Sequence, residues 1–214
     1  MILIEPEENI GKRLIELAQT LYPLNRSLTG NGVRETLAIL REHIPLSVYQ
    51  IPSGTETFDW KVPDEWNVRS AFIADSAGNK VVDFSKHNLH LVGYSIPVDR
   101  KMSLEELDPH LHSLPEQPRA IPYRTSYYSK NWGFCLSHEH RLLLKSDDYH
   151  VYIDSELSHG SLTYGELIIP GRKSTADEYI VSTYICHPSM ANDNLSGMLA
   201  TAFMAKYLLE KKSP

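Results

Sequence analysis

The stretch EYIVSTYICHPSMANDNLSG, residues 178–197, contains an apolar run, a polar loop and the start of a second apolar run. Residues 178–186 are rich in β-branched and aromatic side chains, and such a nearly continuous apolar run is typical of a strand covered on both faces. Pro188 lacks a backbone donor and therefore ends the predicted strand. Apolar residues then recur at helical spacing up to Leu209. A buried strand that leads through a short loop into a helix predicts an α/β sheet.

A histidine and an aspartate mark the predicted end of this strand. In α/β sheets, ligands bind outside the carboxyl ends of the strands, where His187 lies, and Asp193 follows near the helix start. Imidazole and carboxylate are ligands that suit zinc, and one carboxylate can bridge two ions about 3.5–4 Å apart. Asn192 and Asn194 could orient that carboxylate through hydrogen bonds. The residues alone leave a second interpretation open, in which Asp193 caps the helix and His187 is a hydrogen-bonded residue at a strand end.

The remainder of the chain predicts helices first and then a strand-rich middle. Apolar periodicity predicts two helices, within 14–22 and 33–43, and alternation predicts strands at 47–51, 71–74, 80–84, 89–94, 133–136, 149–153 and 161–169. These elements predict an α/β sheet with flanking helices and an inserted small β-rich subdomain. The predicted division places the insertion at 58–118, between parts of the main domain at 1–57 and 119–214.

Composition excludes several classes of protein. The 214 residues include 27 acidic and 21 basic side chains, for a net charge of −6, which disfavours nucleic acid and anionic membrane surfaces as partners. Cys135 and Cys186 show no paired spacing, so no disulfide framework is expected. The sequence contains neither a secretory signal nor a run of about 20 apolar residues, and we expect a cytoplasmic protein. The oligomeric state stays open.

Two further clusters are candidate binding sites. Tyr127, Tyr128 and Trp132 lie in an aromatic and polar stretch that could line a peptide or sugar cleft, although packing against the main sheet explains it as well. His138 and His140 would share one face of a strand, but no third ligand is near them in the sequence.

Several segments resemble a known family. They are LYPLNRSLTGNGVRETL (21–37), PSGTETFDWKVPDEWNV (52–68), NLHLVGYSIPVD (88–99), SYYSKNWGFCLSHEHR (126–141), DSELSHGSLTYGELIIPG (154–171) and HPSMANDNLSG (187–197). Together they resemble the DUF4910 aminopeptidase-like family with a DUF2172-type insertion, a relative of the M28 zinc peptidases. The resemblance implies a zinc-aminopeptidase-like mixed sheet that is incomplete at the C-terminus. It also implies that His187 is a zinc ligand and that Asp193 bridges two zinc ions.

The resemblance also implies an activity. It predicts a metal-dependent aminopeptidase-like hydrolase that acts on the N-terminus of peptides through a zinc-activated water. The general-base glutamate is expected beyond Pro214, so these 214 residues alone are expected to be inactive. The alternative is a non-catalytic peptidase-like scaffold that binds peptide or carbohydrate.

Overall fold

The structure is a computed structural model that describes residues 9–127, 129–145, 147–171 and 177–211. Its helices are α1 (Ile10–Leu21), α2 (Asn31–Arg41), α3 (Leu104–Leu107), α4 (His138–Leu142) and α5 (Ser196–Glu210). Its strands are β1 (Ser47–Pro52), β2 (Glu56–Thr57), β3 (Trp60–Lys61), β4 (Glu65–Ala74), β5 (Lys80–Asp83), β6 (Val98–Ser103), β7 (Leu111–His112), β8 (Phe134–Cys135), β9 (Asp148–Ser158) and β10 (Ser161–Glu166). The chain divides into two compact units.

The first unit is built mainly from helices. It comprises Met1–Leu28, Gly32–Gln50 and Thr163–Pro214. Its core is formed by apolar residues of α1, α2 and α5 and of the segments next to α2 and α5, namely Leu17, Leu21, Leu40, Ile44, Leu195, Met198, Leu199, Ala202 and Phe203. Strands β1 and β10 form a two-stranded sheet. A glycine is required at Gly32, because a Cβ there would lie 2.0 Å from the carbonyl oxygen of Asn25.

The second unit, Thr29–Asn31 and Ile51–Leu162, is built around an antiparallel sheet. Its strand order is β5-β4-β9-β6, and Ala71 pairs with Ile153 at the centre. Both of these side chains are buried, as are Ile73 and Val151 beside them. The short helix α3 begins with a capping box, in which Ser103 and Glu106 satisfy each other's backbone amides.

Most of the predicted elements are confirmed. Helices α1, α2 and α5 occupy the predicted stretches, and β1, β4, β5, β8, β9 and β10 overlap the predicted strands. Helices accompany several small sheets, so the mixed α/β class is confirmed. The predicted insertion, 58–118, lies inside the second unit, and its boundaries stay a prediction. Among the described residues, no helix combines the length and the apolar character needed to cross a membrane.

Two predicted strands are wrong, and a third segment lacks the strand geometry that was considered for it. Residues 178–186 form no strand, and Tyr179 and Ile180 are exposed. Residues 88–90 form a 3-10 turn and not the start of a strand, because the His87 side chain accepts from the Leu89 amide and caps the turn. The 138–142 stretch is the helix α4, started by the Ser137 cap, so the strand geometry assumed for His138 and His140 does not occur.

Candidate metal centre

The loop that follows His187 is held in place by contacts within the first unit. Ser189 is buried and has a φ of 43°, in the left-handed region, and its hydroxyl donates to the Tyr22 carbonyl at 3.0 Å. Ala191–Leu195 then form a π-type turn. Asp193 lies in this turn, ahead of the first residue of α5, Ser196. The turn carries the carboxylate back toward the histidine.

His187 and Asp193 are brought together. The distance from His187 Nε2 to Asp193 Oδ2 is 3.8 Å. The imidazole is mostly buried, at 17% exposed, whereas the carboxylate is 53% exposed. The pair therefore presents one nitrogen and one oxygen to a point that solvent can reach from the carboxylate side.

Tyr184 orients the carboxylate. Its hydroxyl donates to Asp193 Oδ1 at 3.0 Å, and its ring contacts the His187 ring edge-on, with 5.2 Å between centroids. The hydrogen bond to the carboxylate raises the pKa of Tyr184. With Oδ1 bound to the phenol, Oδ2 is the oxygen that faces His187. The sequence counted this tyrosine among the apolar strand residues, so its polar contact was missed.

Arg26 supports the site from beneath. Its side chain is 2% exposed, and its Nε donates to the His187 carbonyl at 3.0 Å while Nη1 donates to the Leu21 carbonyl. Burial lowers the pKa of the Arg26 guanidinium to about 10. Arg26 thus ties the end of α1 to the backbone of the site, and no local sequence signal distinguishes it from a loop arginine. Burial also raises the pKa of the neighbouring Cys186 thiol.

The two asparagines make other contacts. The Asn194 side-chain amide donates to the Thr183 hydroxyl at 3.0 Å. The Asn192 backbone carbonyl accepts from the Ser196 hydroxyl at 3.2 Å. These bonds hold the turn against its neighbours, and a direct function of the asparagines in orienting the carboxylate stays a prediction.

The geometry of the His187 and Asp193 pair fits a shared cation. Zinc binds nitrogen and oxygen at about 2.0–2.2 Å, so two ligands of one ion lie roughly 3–4 Å apart. The observed 3.8 Å lies within that range. In the part of the chain that the structure describes, no group of three or more His, Cys, Asp or Glu side chains is arranged to hold a metal ion. The pair would therefore supply two of the three or four protein ligands that a zinc site takes.

The predicted aromatic cleft is only partly assembled. Trp132 is buried, and the His110 ring stacks on it with 3.6 Å between centroids. Tyr127 lies at a shallow cavity of about 200 Å³, and Tyr128 lies outside the described residues. The cavity is lined by Tyr94, Ile96, Ser126, Tyr127, Ser129, Lys130 and Leu157. The structure thus brings Tyr127, and not Trp132, to a surface where a ligand could bind.

Comparisons with known proteins agree with one another. The family model described as "Domain of unknown function (DUF4910)" matches residues 15–214. A protein of Clostridium acetobutylicum, described as "Putative polysaccharide biosynthesis protein with aminopeptidase-like domain", is 49% identical over 98% of this chain and 48% of its own length. A crystal structure of a "putative peptidase" from Clostridium acetobutylicum is 50% identical and superimposes with a TM-score of 0.91 over 94% of this chain and 47% of that one. The chain spans about half the length of these relatives.

Proposed function

The chain belongs to the DUF4910 family, and from that membership we propose that it contributes His187 and Asp193 to the zinc centre of an aminopeptidase-like hydrolase. The relatives described as aminopeptidase-like and as a peptidase support the peptidase-like kind of protein. The observation that carries the metal proposal is the approach of His187 Nε2 to Asp193 Oδ2, at 3.8 Å. The proposed substrate is a peptide with a free N-terminus.

The chain's own residues would prepare the site for the cation. Arg26 binds the His187 backbone carbonyl through a partly buried hydrogen bond, which fixes the backbone that carries the imidazole. The Tyr184 hydroxyl leaves Asp193 Oδ2 directed at the same point as His187 Nε2. A carboxylate oxygen has two lone pairs, so Oδ1 can accept from Tyr184 and still face a second ion. Zinc, when bound, supplies a water whose pKa is lowered to about 7.

Metal titration tests the proposal directly. We expect the chain to bind Co²⁺, a spectroscopic substitute for zinc, with a visible absorption band and a weak affinity, because two protein ligands make an open site. His187→Ala and Asp193→Ala should each weaken binding at least about 100-fold, because loss of an outer contact alone typically costs about 10–100-fold. His159→Ala is the matched control, since His159 is an exposed histidine of the second unit. Equal affinities for all four proteins would refute the metal site.

Activity forms a separate test. The chain spans about half the length of its peptidase-like relatives, so we expect no hydrolysis of aminoacyl substrates by these residues with zinc added. Turnover that disappears in His187→Ala would show that the metal proposal is right and that the prediction of inactivity is wrong. Turnover that survives in His187→Ala would contradict both.

The second candidate function is a non-catalytic scaffold that binds peptide or carbohydrate. The cavity beside Tyr127 favours it, because aromatic rings and a few polar groups at a concave surface are typical of such sites. The description of one relative as a polysaccharide biosynthesis protein agrees with a carbohydrate ligand. Oligosaccharide binding seen by saturation-transfer NMR, unaffected by chelator and lost in Tyr127→Ala but not in Tyr164→Ala, would support the scaffold. Tyr164 is a suitable control because it is an exposed tyrosine of the first unit.

A further inference from the structure

An apolar segment lies exposed in the first unit. Tyr179 is 92% exposed, Ile180 is 88% exposed and Val181 is 58% exposed. Single exposed apolar residues are ordinary, but three adjacent ones on an uncharged run are not. Such a run marks a surface that another polypeptide covers.

The segment has the composition of a strand but not the pairing. Residues 179–186 contain two tyrosines, two isoleucines, a valine and a threonine, the residue types enriched in strands. Within the described residues, 177–190 take part in no β-ladder. A strand's hydrogen bonds are made to a neighbouring strand, and the described part of the chain provides none for this segment.

Contacts with the first unit hold the Ile185 end of the segment. Ile185 packs against the core of the first unit, and the Thr183 hydroxyl accepts from the Asn194 amide at 3.0 Å. Toward Tyr179 the side chains become fully exposed. The backbone near Thr183 and Ile185 is therefore held beside the start of α5. The exposed residues Tyr179, Ile180 and Val181 are the part that a partner strand would cover.

The relatives indicate which polypeptide that partner is. Nearly all of this chain aligns with each relative, but the aligned region is only 48% of the curated relative and 47% of the crystallised one. More than half of each relative has no counterpart in the matched region. We infer that residues 179–185 form a β-strand by pairing with a strand of polypeptide equivalent to that unmatched half. This inference is independent of the proposed metal centre and of the proposed activity.

Pairing would also act on the candidate site. Tyr184 lies in the segment and holds Asp193 Oδ1 through its hydroxyl. When the segment becomes a strand, the Tyr184 ring and hydroxyl are fixed together with it. The carboxylate that faces His187 is then held by a rigid neighbour and not by an exposed loop.

Co-expression with the unmatched half of the Clostridium acetobutylicum relative tests the inference. We expect a one-to-one complex by size-exclusion chromatography with light scattering. In hydrogen exchange, the amides of residues 179–185 should exchange freely in the chain alone and at least about 100-fold more slowly in the complex. The intact relative gives a second measurement, since its matching segment should show the same protection.

Matched variants separate this surface from the rest of the chain. Ile180→Lys should reduce recovery of the complex at least about 10-fold, because it places a charge where apolar area is buried. Ile15→Lys is the control, since Ile15 is another exposed isoleucine of the first unit, at 60% exposed. Failure to recover a complex, an unprotected segment in the complex or in the intact relative, or equal effects of the two variants would overturn the inference. A homodimer of this chain that Ile180→Lys abolishes would overturn it as well, because the partner would then be a second copy.

Discussion

Replacing Arg26 by alanine is expected to destabilise the first unit by about 3–5 kcal/mol. Arg26 is 2% exposed, and its guanidinium donates to the carbonyl groups of Leu21 and His187. The substitution removes both donors from a buried place and leaves a cavity. The loss should therefore be several times larger than that of an ordinary surface arginine.

The size of the effect follows from three contributions. Burial lowers the pKa of Arg26 to about 10, and at about 1.4 kcal/mol per pKa unit, keeping the charge inside costs roughly 3 kcal/mol. Two charge-assisted hydrogen bonds offset that cost with about 1.5–3 kcal/mol each. Alanine loses both bonds and opens a cavity, and the Leu21 carbonyl then keeps only the Leu24 amide as a donor, at 3.2 Å. Arg26→Met fills much of the space and should cost only about 1–3 kcal/mol.

Circular dichroism is the appropriate assay. Helices α1, α2 and α5 hold most of the helical residues and lie almost wholly in the first unit, while Trp60, Trp66 and Trp132 all lie in the second. Urea unfolding followed at 222 nm therefore reports on the first unit, and tryptophan fluorescence reports on the second. Arg26→Ala should shift the transition at 222 nm to a lower urea concentration.

Arg69→Ala is the control for this experiment. Arg69 binds two carboxylates, those of Asp154 and Glu156, but its side chain is 60% exposed. Exposed ion pairs contribute little, so the control should leave the free energy of unfolding almost unchanged. The reasoning is wrong if Arg26→Ala lowers the free energy of unfolding by less than about 1 kcal/mol. It is also wrong if Arg69→Ala lowers that free energy as much as Arg26→Ala does.

Three other outcomes can be measured. Burial raises the pKa of the Cys135 thiol to about 12. The buried neutral thiol therefore contributes its full stability below about pH 9, and this contribution is lost as the pH rises, because the thiol of the unfolded chain ionises first. Urea unfolding at pH 10 should show wild type about 1.4 kcal/mol less stable than at pH 8, after the same difference for Cys135→Ala is subtracted; an unchanged difference would contradict the burial of the thiol. Burial lowers the pKa of four histidines, because it disfavours their charged form. Their contribution to the free energy of unfolding of the second unit should therefore be complete above about pH 6.5 and fall as the pH drops toward 5. Urea unfolding followed by tryptophan fluorescence at several pH values checks this. These histidines are His87, His90, His112 and His140. Asp193→Asn should lower the pKa of Tyr184 toward its ordinary value, because the bond to the carboxylate is the main cause of the present rise; ring NMR shifts during titration would report it, and no change would argue against the Tyr184 contact.

Helix positions were readable from the sequence. The apolar periods within 14–22 and 33–43 and the run to Leu209 predict α1, α2 and α5, because a helix satisfies its backbone with residues four positions away. The hairpin of β4 and β5 was predictable for a related reason, since its two strands are joined by a short turn that the sequence marks with Gly78 and Asn79.

The site was predictable only in part. The spacing between His187 and Asp193 and the predicted loop were enough to place the two side chains near each other. Arg26 was not predictable, because its bond to the His187 carbonyl joins residues 161 positions apart. The hydrogen bond of Tyr184 was not predictable for another reason. A tyrosine is treated as apolar in a strand pattern, and its hydroxyl can bind Asp193 only because the turn places the carboxylate next to it.

The sequence by itself determined where the helices lie and that strands dominate the middle of the chain, and it predicted that an imidazole and a carboxylate meet beside α5. Tertiary structure alone decided which apolar run becomes a strand. Residues 178–186 have a strand's composition but form none within the described chain, whereas residues 149–153, of similar character, lie between two partners in the central sheet. The physical reason is that a helix makes its backbone hydrogen bonds within itself, whereas a strand makes them with a second strand. The sequence of one strand does not show which other segment will pair with it.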